Sequence, residues 1–201
     1  MGEINIEAKK TALIVVDMQK GFIEKGAFLE LEAARNMIPR LQKLISVCRE
    51  NDIPIVYTRM SHQFIKSTVY PELWPDHFKE DGSPILVPGS REFELVDELE
   101  VTDGDLLVDK DRYSAFFGTK LDIVLKEKGI QNVIITGLAS NVCCESTARD
   151  AFFLNYRVIF LDDCNATLNE EMHRGAVENI KLVFGYVLNS QDLIEKIQSK
   201  I

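Results

Sequence analysis

The 201-residue sequence predicts an α/β protein, a three-layer α/β/α sandwich built on a parallel sheet, and two observations carry that expectation. Short, almost uninterrupted apolar runs recur at 11–16 (TALIVV), 54–58 (PIVYT), 105–108 (DLLV), 132–137 (NVIITG), 157–161 (RVIFL) and 186–189 (YVLN). A strand covered on both faces has no solvent side to fill with polar residues, so such runs mark buried parallel strands. Segments with helical spacing lie between the runs, and strands alternating with helices make βαβ units.

Each element has its own signal. The run at 11–16 ends on Asp17, and a helix over 32–50 follows, with Met37, Leu41, Leu44 and Cys48 on one stripe. After 54–58 the alternation breaks from residue 60 to about 92, a stretch holding four of the six prolines and two of the three histidines. A connection of that length is usually functional. Alternation resumes with 105–108, helical spacing over 119–128, the run 132–137, helices over 142–154 and 170–184 around the run 157–161, and the run 186–189. A last helix begins at Ser190, with Asp192 early and Lys196 late, as the helix dipole favours. No repeat or linker divides the chain, so residues 1–201 are expected to form a single domain.

Composition narrows the partners. A net charge of −9 and a pI near 4.9 give no surface that gathers phosphates, so nucleic acid and anionic membranes are poor partners. The opening MGEINIEAKK is not a signal peptide, and no run approaches the roughly 18 apolar residues that span a bilayer, which points to the cytoplasm. The four cysteines, at 48, 143, 144 and 164, lack zinc-ligand spacing and are expected to be free thiols.

Open parallel sheets bind ligands beyond the carboxyl ends of their strands. Asp17, Lys110 and Cys143 each follow a predicted strand, and if those strands are neighbours a carboxylate, an ammonium and a thiol converge. Each residue alone has an ordinary reading, as a helix cap, a surface lysine or a small buried hydrophobe; their shared placement favours a site. Helical spacing separates the adjacent thiols. Cys144 shares a stripe with Ala148, Ala151 and Phe152 and should face the core, whereas Cys143 is rotated by about 100° into the first helical turn, where unpaired N–H groups would lower its pKa.

The segments ALIVVDMQKGF, NMIPRLQKLISVCRENDIPIVYT, VDKDRYSAFFGTKLD and GIQNVIITGLASNVCCESTARDAFFLNYRVIFLDD resemble the cysteine hydrolases of the isochorismatase-like superfamily, which includes nicotinamidases, N-carbamoylsarcosine amidases, ureidoacrylate amidohydrolases and biuret hydrolases. The resemblance covers most of the chain. It implies a six-stranded, mostly parallel sheet, a catalytic triad of Asp17, Lys110 and Cys143, and a cis peptide at Leu138–Ala139 that aims the backbone N–H groups of Ala139 and Cys143 at one point as an oxyanion hole. It further implies attack by Cys143 on an amide or ureido carbonyl, a thioester intermediate and release of ammonia. Members that cleave the vinyl ether of isochorismate typically lack this cysteine, so that activity is disfavoured. Oligomers are usual in the superfamily, so a homodimer or homotetramer is expected.

The same resemblance bears on the substrate. Phe22 and Trp74 match pocket positions, and Arg112 and Tyr113 stand close enough to the catalytic lysine to hold a substrate carboxylate or anchor the loop. Nicotinamidases carry an Asp-x-His and a later His on a metal; here LWPDH supplies His77, His62 lies upstream, and Met60 replaces the aspartate. A thioether is a poor substitute for a carboxylate at such a centre, so no cofactor is expected and His62 and His77 are weak metal candidates. Arg149 is expected at a helix-to-loop or subunit contact, and His173 on the surface. The leading expectation is a metal-independent amidohydrolase of small linear amide or carbamoyl compounds. The rivals are a metal-assisted nicotinamidase and a non-catalytic protein that binds a metabolite or senses redox state through Cys143 and Cys144.

Overall fold

A computed structural model describes residues 4–199. Its strands are β1 (Thr11–Val16), β2 (Ile55–Met60), β3 (Leu106–Lys110), β4 (Asn132–Leu138), β5 (Arg157–Ala166) and β6 (Gly185–Leu188). They form one sheet in the order β3-β2-β1-β4-β5-β6, and every neighbouring pair is parallel. The predicted runs thus all become strands, and the sheet is wholly rather than mostly parallel.

Side chains of β1 alternate between two cores, as the two-residue period of a strand requires. Leu13 and Val15 join Ile134 of β4 and Ile159 of β5 on one face, covered by the helices Ala33–Glu50 and Ser190–Gln198. Ala12, Ile14 and Val16 join Val133 and Ile135 on the other, covered by the helices Leu121–Glu127 and Glu145–Phe153. The stripe predicted on the first helix is the buried one: Leu41 and Leu44 are fully covered, each contributing about 1.5–3 kcal/mol of transfer free energy.

Three expectations need correction. The outer strands β3 and β6 are only partly covered, with Leu107 44% exposed, because an edge strand lacks a neighbour on one side. The helix expected over 170–184 is α-helical only over Glu170–Asn179 and then widens into a π-turn, Ile180–Phe184, that runs straight into β6. Phe152 is 44% exposed rather than in the core, stacked edge-on against Phe153 and Phe184. Eight residues at 100° each leave it about 80° away from the direction of Cys144, at the margin of the buried stripe. Among the described residues no helix is long and apolar enough to cross a membrane.

The carboxyl end of β4 is where the fold most constrains its sequence. Gly137 pairs with Val16 at φ +114°, and a Cβ built there would overlap the carbonyl oxygen and amide nitrogen of Val16. Opposite it, β5 slips register between Ile135 and Gly137, and the Asn165 amide closes the irregularity by donating to the carbonyls of Ile135 (2.9 Å) and Leu161 (2.6 Å). Gly137→Ala is therefore expected to destabilise the protein by about 3 kcal/mol or more, read as a lower midpoint in urea unfolding.

Candidate functional site

β1 is followed by Asp17, whose φ of +51° turns the chain sharply out of the sheet, a conformation aspartate tolerates better than most residues. The Asp17 carboxylate is 1% exposed and held from two sides. Thr58 of β2 donates its hydroxyl to Asp17 Oδ1 at 2.7 Å while accepting from the Asp17 amide at 3.2 Å. Lys110, the last residue of β3, donates to Oδ2 at 2.6 Å. β3 is not the neighbour of β1, because β2 lies between them; Lys110 extends past the end of β2, with Met60 Sδ at 3.7 Å and the Arg112 carbonyl at 3.1 Å.

Cys143 lies beyond β4, in a π-turn over Ser140–Cys144 that leads into the helix Glu145–Phe153, so the expected first turn of an α-helix is a wider one. Its thiol lies close enough to Asp17 and Lys110 for both charges to act on it. The expected acidification does not occur. Burial pushes the thiol up to about 12, the Lys110 ammonium pulls it down, and the Asp17 carboxylate adds to the rise. For Lys110, burial acts downward, but the charges of Asp17 and Cys143 outweigh it and the net shift is upward. Cys144 is fully buried, with its thiol near the Thr136 carbonyl at 3.9 Å and burial holding its pKa far above the ordinary value.

A cavity of about 400 Å³ opens over these groups, with Asp17, Ala139 and Cys143 in its wall. Phe22, Trp74 and Tyr113 line it, as does the pair His62 and His77, whose rings stack 4.9 Å apart; Trp74 extends the stack at 5.9 Å from His77. Arg112 does not line it. Its guanidinium pairs with Asp111 and lies over the Tyr70 ring, because the chain turns away after Lys110. His62 is 1% exposed, its Nδ1 has no hydrogen-bond partner among the described residues, and burial followed by the nearby His77 and Lys110 lowers its pKa to about 3. Met60 Sδ contacts Lys110, and no group of three or more His, Cys, Asp or Glu side chains among the described residues is arranged to hold a metal ion. Two imidazoles and a thioether do not fit a divalent centre. Leu138–Ala139 is a cis peptide.

Several contributors were not foreseen. Thr58 sits inside a predicted strand, where nothing distinguishes it from a packing residue. Gln19, fully buried, ties the exits of β1 and β2 together by accepting from the Met60 amide (2.7 Å) and donating to the carbonyls of Met60 (3.1 Å) and Phe93 (3.0 Å). Thr167 and Leu168 line the cavity directly after β5, but β5 runs five residues beyond the apolar run at 157–161, so the rule that selected Asp17 points to Asp162 instead. His173, expected on the surface, instead bridges Ser140 Oγ (2.8 Å) and Asp162 (2.9 Å), anchoring the π-turn to the next helix. Arg149 pairs with Glu145 at 2.6 Å and stacks on Phe184, a contact between its helix and the π-turn before β6.

Residues 11–192 match the isochorismatase domain family. The chain is 34% identical over 214 residues to the ureidoacrylate amidohydrolase RutB of Acinetobacter baylyi, covering 97% of this chain and 86% of that protein. Its fold is similar to that of a cysteine hydrolase from Pseudomonas syringae pv. phaseolicola, with a TM-score of 0.91 and 29% identity over 99% of this chain and 97% of that one. N-carbamoylsarcosine amidase from Thermoplasma acidophilum is also similar, with a TM-score of 0.77 and 30% identity over 90% of this chain and 96% of that one.

His62 links the site to stability. Its pKa falls from 6.5 to about 3 on folding, so the unfolded chain binds the extra proton first as pH drops. The stability contributed by the neutral ring is complete above about pH 6.5 and is lost toward pH 3, with a limiting slope of about 1.4 kcal/mol per pH unit. His62→Phe is expected to flatten the acid limb of stability in that window, measured by urea unfolding at stepped pH.

Proposed function

The chain belongs to the isochorismatase family, and from that premise we propose that it is a cysteine-dependent amidohydrolase, cleaving the C–N bond of a small linear amide or carbamoyl compound and releasing ammonia. The observation that carries this reading is the Cys143 thiol sharing a cavity wall of substrate size with Asp17, which forms a buried ion pair with Lys110, both charges acting on the thiol.

The proposed steps follow from the groups present. Because the resting thiol is protonated, Asp17 takes its proton as Sγ attacks the carbonyl carbon. Negative charge moves to the carbonyl oxygen, where the N–H groups of Ala139 and Cys143 serve as donors. Collapse breaks the C–N bond, and the leaving nitrogen takes the proton from Asp17 and departs as ammonia. Asp17 then removes a proton from water as its oxygen attacks the thioester, which releases the acid and restores the thiol. Lys110 stays charged throughout and stabilises whichever of Asp17 and Cys143 carries the anion. No step uses a metal, because the donors at His62, His77 and Met60 do not fit one. We place the protein in the cytoplasm, where its free thiols persist. We also assign the exposed Phe153, Leu182 and Val183 to contacts between copies of the chain, to be tested by sedimentation velocity.

Ammonia release should be measured on N-carbamoylsarcosine, ureidoacrylate, biuret, nicotinamide and simple primary amides, with and without chelator. Turnover of at least one linear amide or carbamoyl compound, indifferent to chelator and reduced roughly 10⁴-fold or more in Cys143→Ala and Asp17→Asn, is expected. Activity that chelator abolishes would transfer the case to a metal-assisted nicotinamidase.

The raised thiol pKa makes a second prediction, that kcat/KM stays level between about pH 7 and 9, since the proton passes to Asp17 during attack. A rise of about tenfold per pH unit, or a midpoint near 8.5, would mean that a thiolate formed beforehand is the nucleophile.

A further inference from the structure

Among the described residues, the cavity wall carries two carboxylates, Asp17 and Glu30, and no lysine or arginine. Lys110 lies beneath it with its side chain wholly buried and its ammonium committed to Asp17, the Arg112 carbonyl and Met60. Arg112 is held on Asp111, outside the wall. Glu30 accepts from the Gly26 amide at 2.8 Å and pairs with Arg35 at 2.6 Å, contacts that hold its carboxyl below the usual range and keep it charged. His62 is held neutral by burial. Of the polar wall groups, Asn141 accepts from the Thr167 hydroxyl at 2.7 Å and keeps its amide N–H donors, and the Tyr113 ring lies tilted against Tyr70 at 5.4 Å. Apart from the Asn141 amide, the wall is mainly apolar or aromatic: Phe22, Phe28, Leu168 and the Trp74–His77–His62 stack.

We propose that this site selects amides whose acyl or N-carbamoyl part is uncharged and apolar or aromatic, and rejects those that bear a carboxylate. The inference rests on the amidohydrolase reading above. A carboxylate entering this wall would lose its hydration without gaining a lysine or arginine, because the nearby cations Lys110 and Arg35 are already paired with Asp17 and Glu30. An uncharged chain of the same shape gains from burial against the aromatic stack. The RutB relative is named for ureidoacrylate, which carries a carboxylate, so the cavity implies a different substrate for this chain.

Two isosteric pairs isolate charge from shape: 4-methylpentanamide against succinamate, and N-isobutylurea against N-carbamoylglycine. In each pair an isopropyl group replaces a carboxylate. In whichever pair the wild type hydrolyses, kcat/KM is expected to favour the neutral member by at least roughly tenfold. Calorimetric binding to Cys143→Ala reads the same preference without turnover, and Leu168→Arg, placing a cation at the rim, is expected to narrow or reverse it. Equal or tighter binding of the carboxylate members, or no binding of the neutral ones, overturns the inference. Absence of ammonia from every compound, with the neutral members still binding Cys143→Ala more tightly, overturns the amidohydrolase reading and leaves the selectivity standing.

Discussion

The buried ion pair between Asp17 and Lys110 is the constraint on which the rest of the site depends. Both side chains are essentially inaccessible, and withdrawing each charge from water costs several kcal/mol even after relaxation. The pair persists because its neighbours complete it: the Thr58 hydroxyl takes one carboxylate oxygen, Lys110 takes the other, and the Arg112 carbonyl takes a further proton of the ammonium. Sheet order dictates which residue types can do this. Lys110 starts two strand spacings from Asp17, about 9.5 Å, so a short side chain on β3 could not reach past β2 to the carboxylate. Met60, ending the intervening strand, gives the lysine stem an apolar edge to pass, a place where a carboxylate would compete for the ammonium.

The order β3-β2-β1-β4-β5-β6 explains the convergence of the three groups. The central strand β1 has β2 on one side and β4 on the other, so the exits carrying Asp17, Thr58 and Cys143 are adjacent without any long excursion. Close approach of β1 and β4 requires Gly137, and the π-turn that follows brings Cys143 toward the carboxylate while Cys144 turns into the core. One turn thus gives adjacent, identical side chains opposite fates. The network from Ser140 through His173 to Asp162 ties that turn to the helix across from it.

Much of this was legible in the sequence. Continuous apolar runs located every strand, because a parallel sheet buried on both faces leaves little choice of residue, and residues beyond those runs picked out Asp17, Lys110 and Cys143, which the fold brings together. The cavity wall was less legible. Phe28, Leu29 and Glu30 come from an irregular segment whose residues follow no period, and their approach to the site is set by tertiary contacts such as the Arg35–Glu30 pair. The fate of Arg112 was illegible for a related reason: a guanidinium near a site can turn either way, and the choice here is made by Asp111 beside it and Tyr70 across the loop. The misjudged thiol shows the limit of arguing from a helix end alone, since the dipole effect of a first turn is worth about 1 kcal/mol while full burial of a thiolate costs considerably more.

That burial is compatible with the proposed chemistry because of how charge is conserved within the triad. Ionising Cys143 to solvent would leave a net negative charge in a dry site, which is why burial pushes the thiol up to about 12. Passing the same proton to Asp17 changes nothing in the total: carboxylate, ammonium and thiol become carboxylic acid, ammonium and thiolate. One anion and one cation remain, and the anion has moved only between two groups on which the Lys110 charge acts. The desolvation penalty that opposes free thiolate formation is then largely shared by the starting and transferred states. In the proposed chemistry, a lysine acting on both groups would let a neutral thiol in an apolar pocket serve as the nucleophile without a net change of charge.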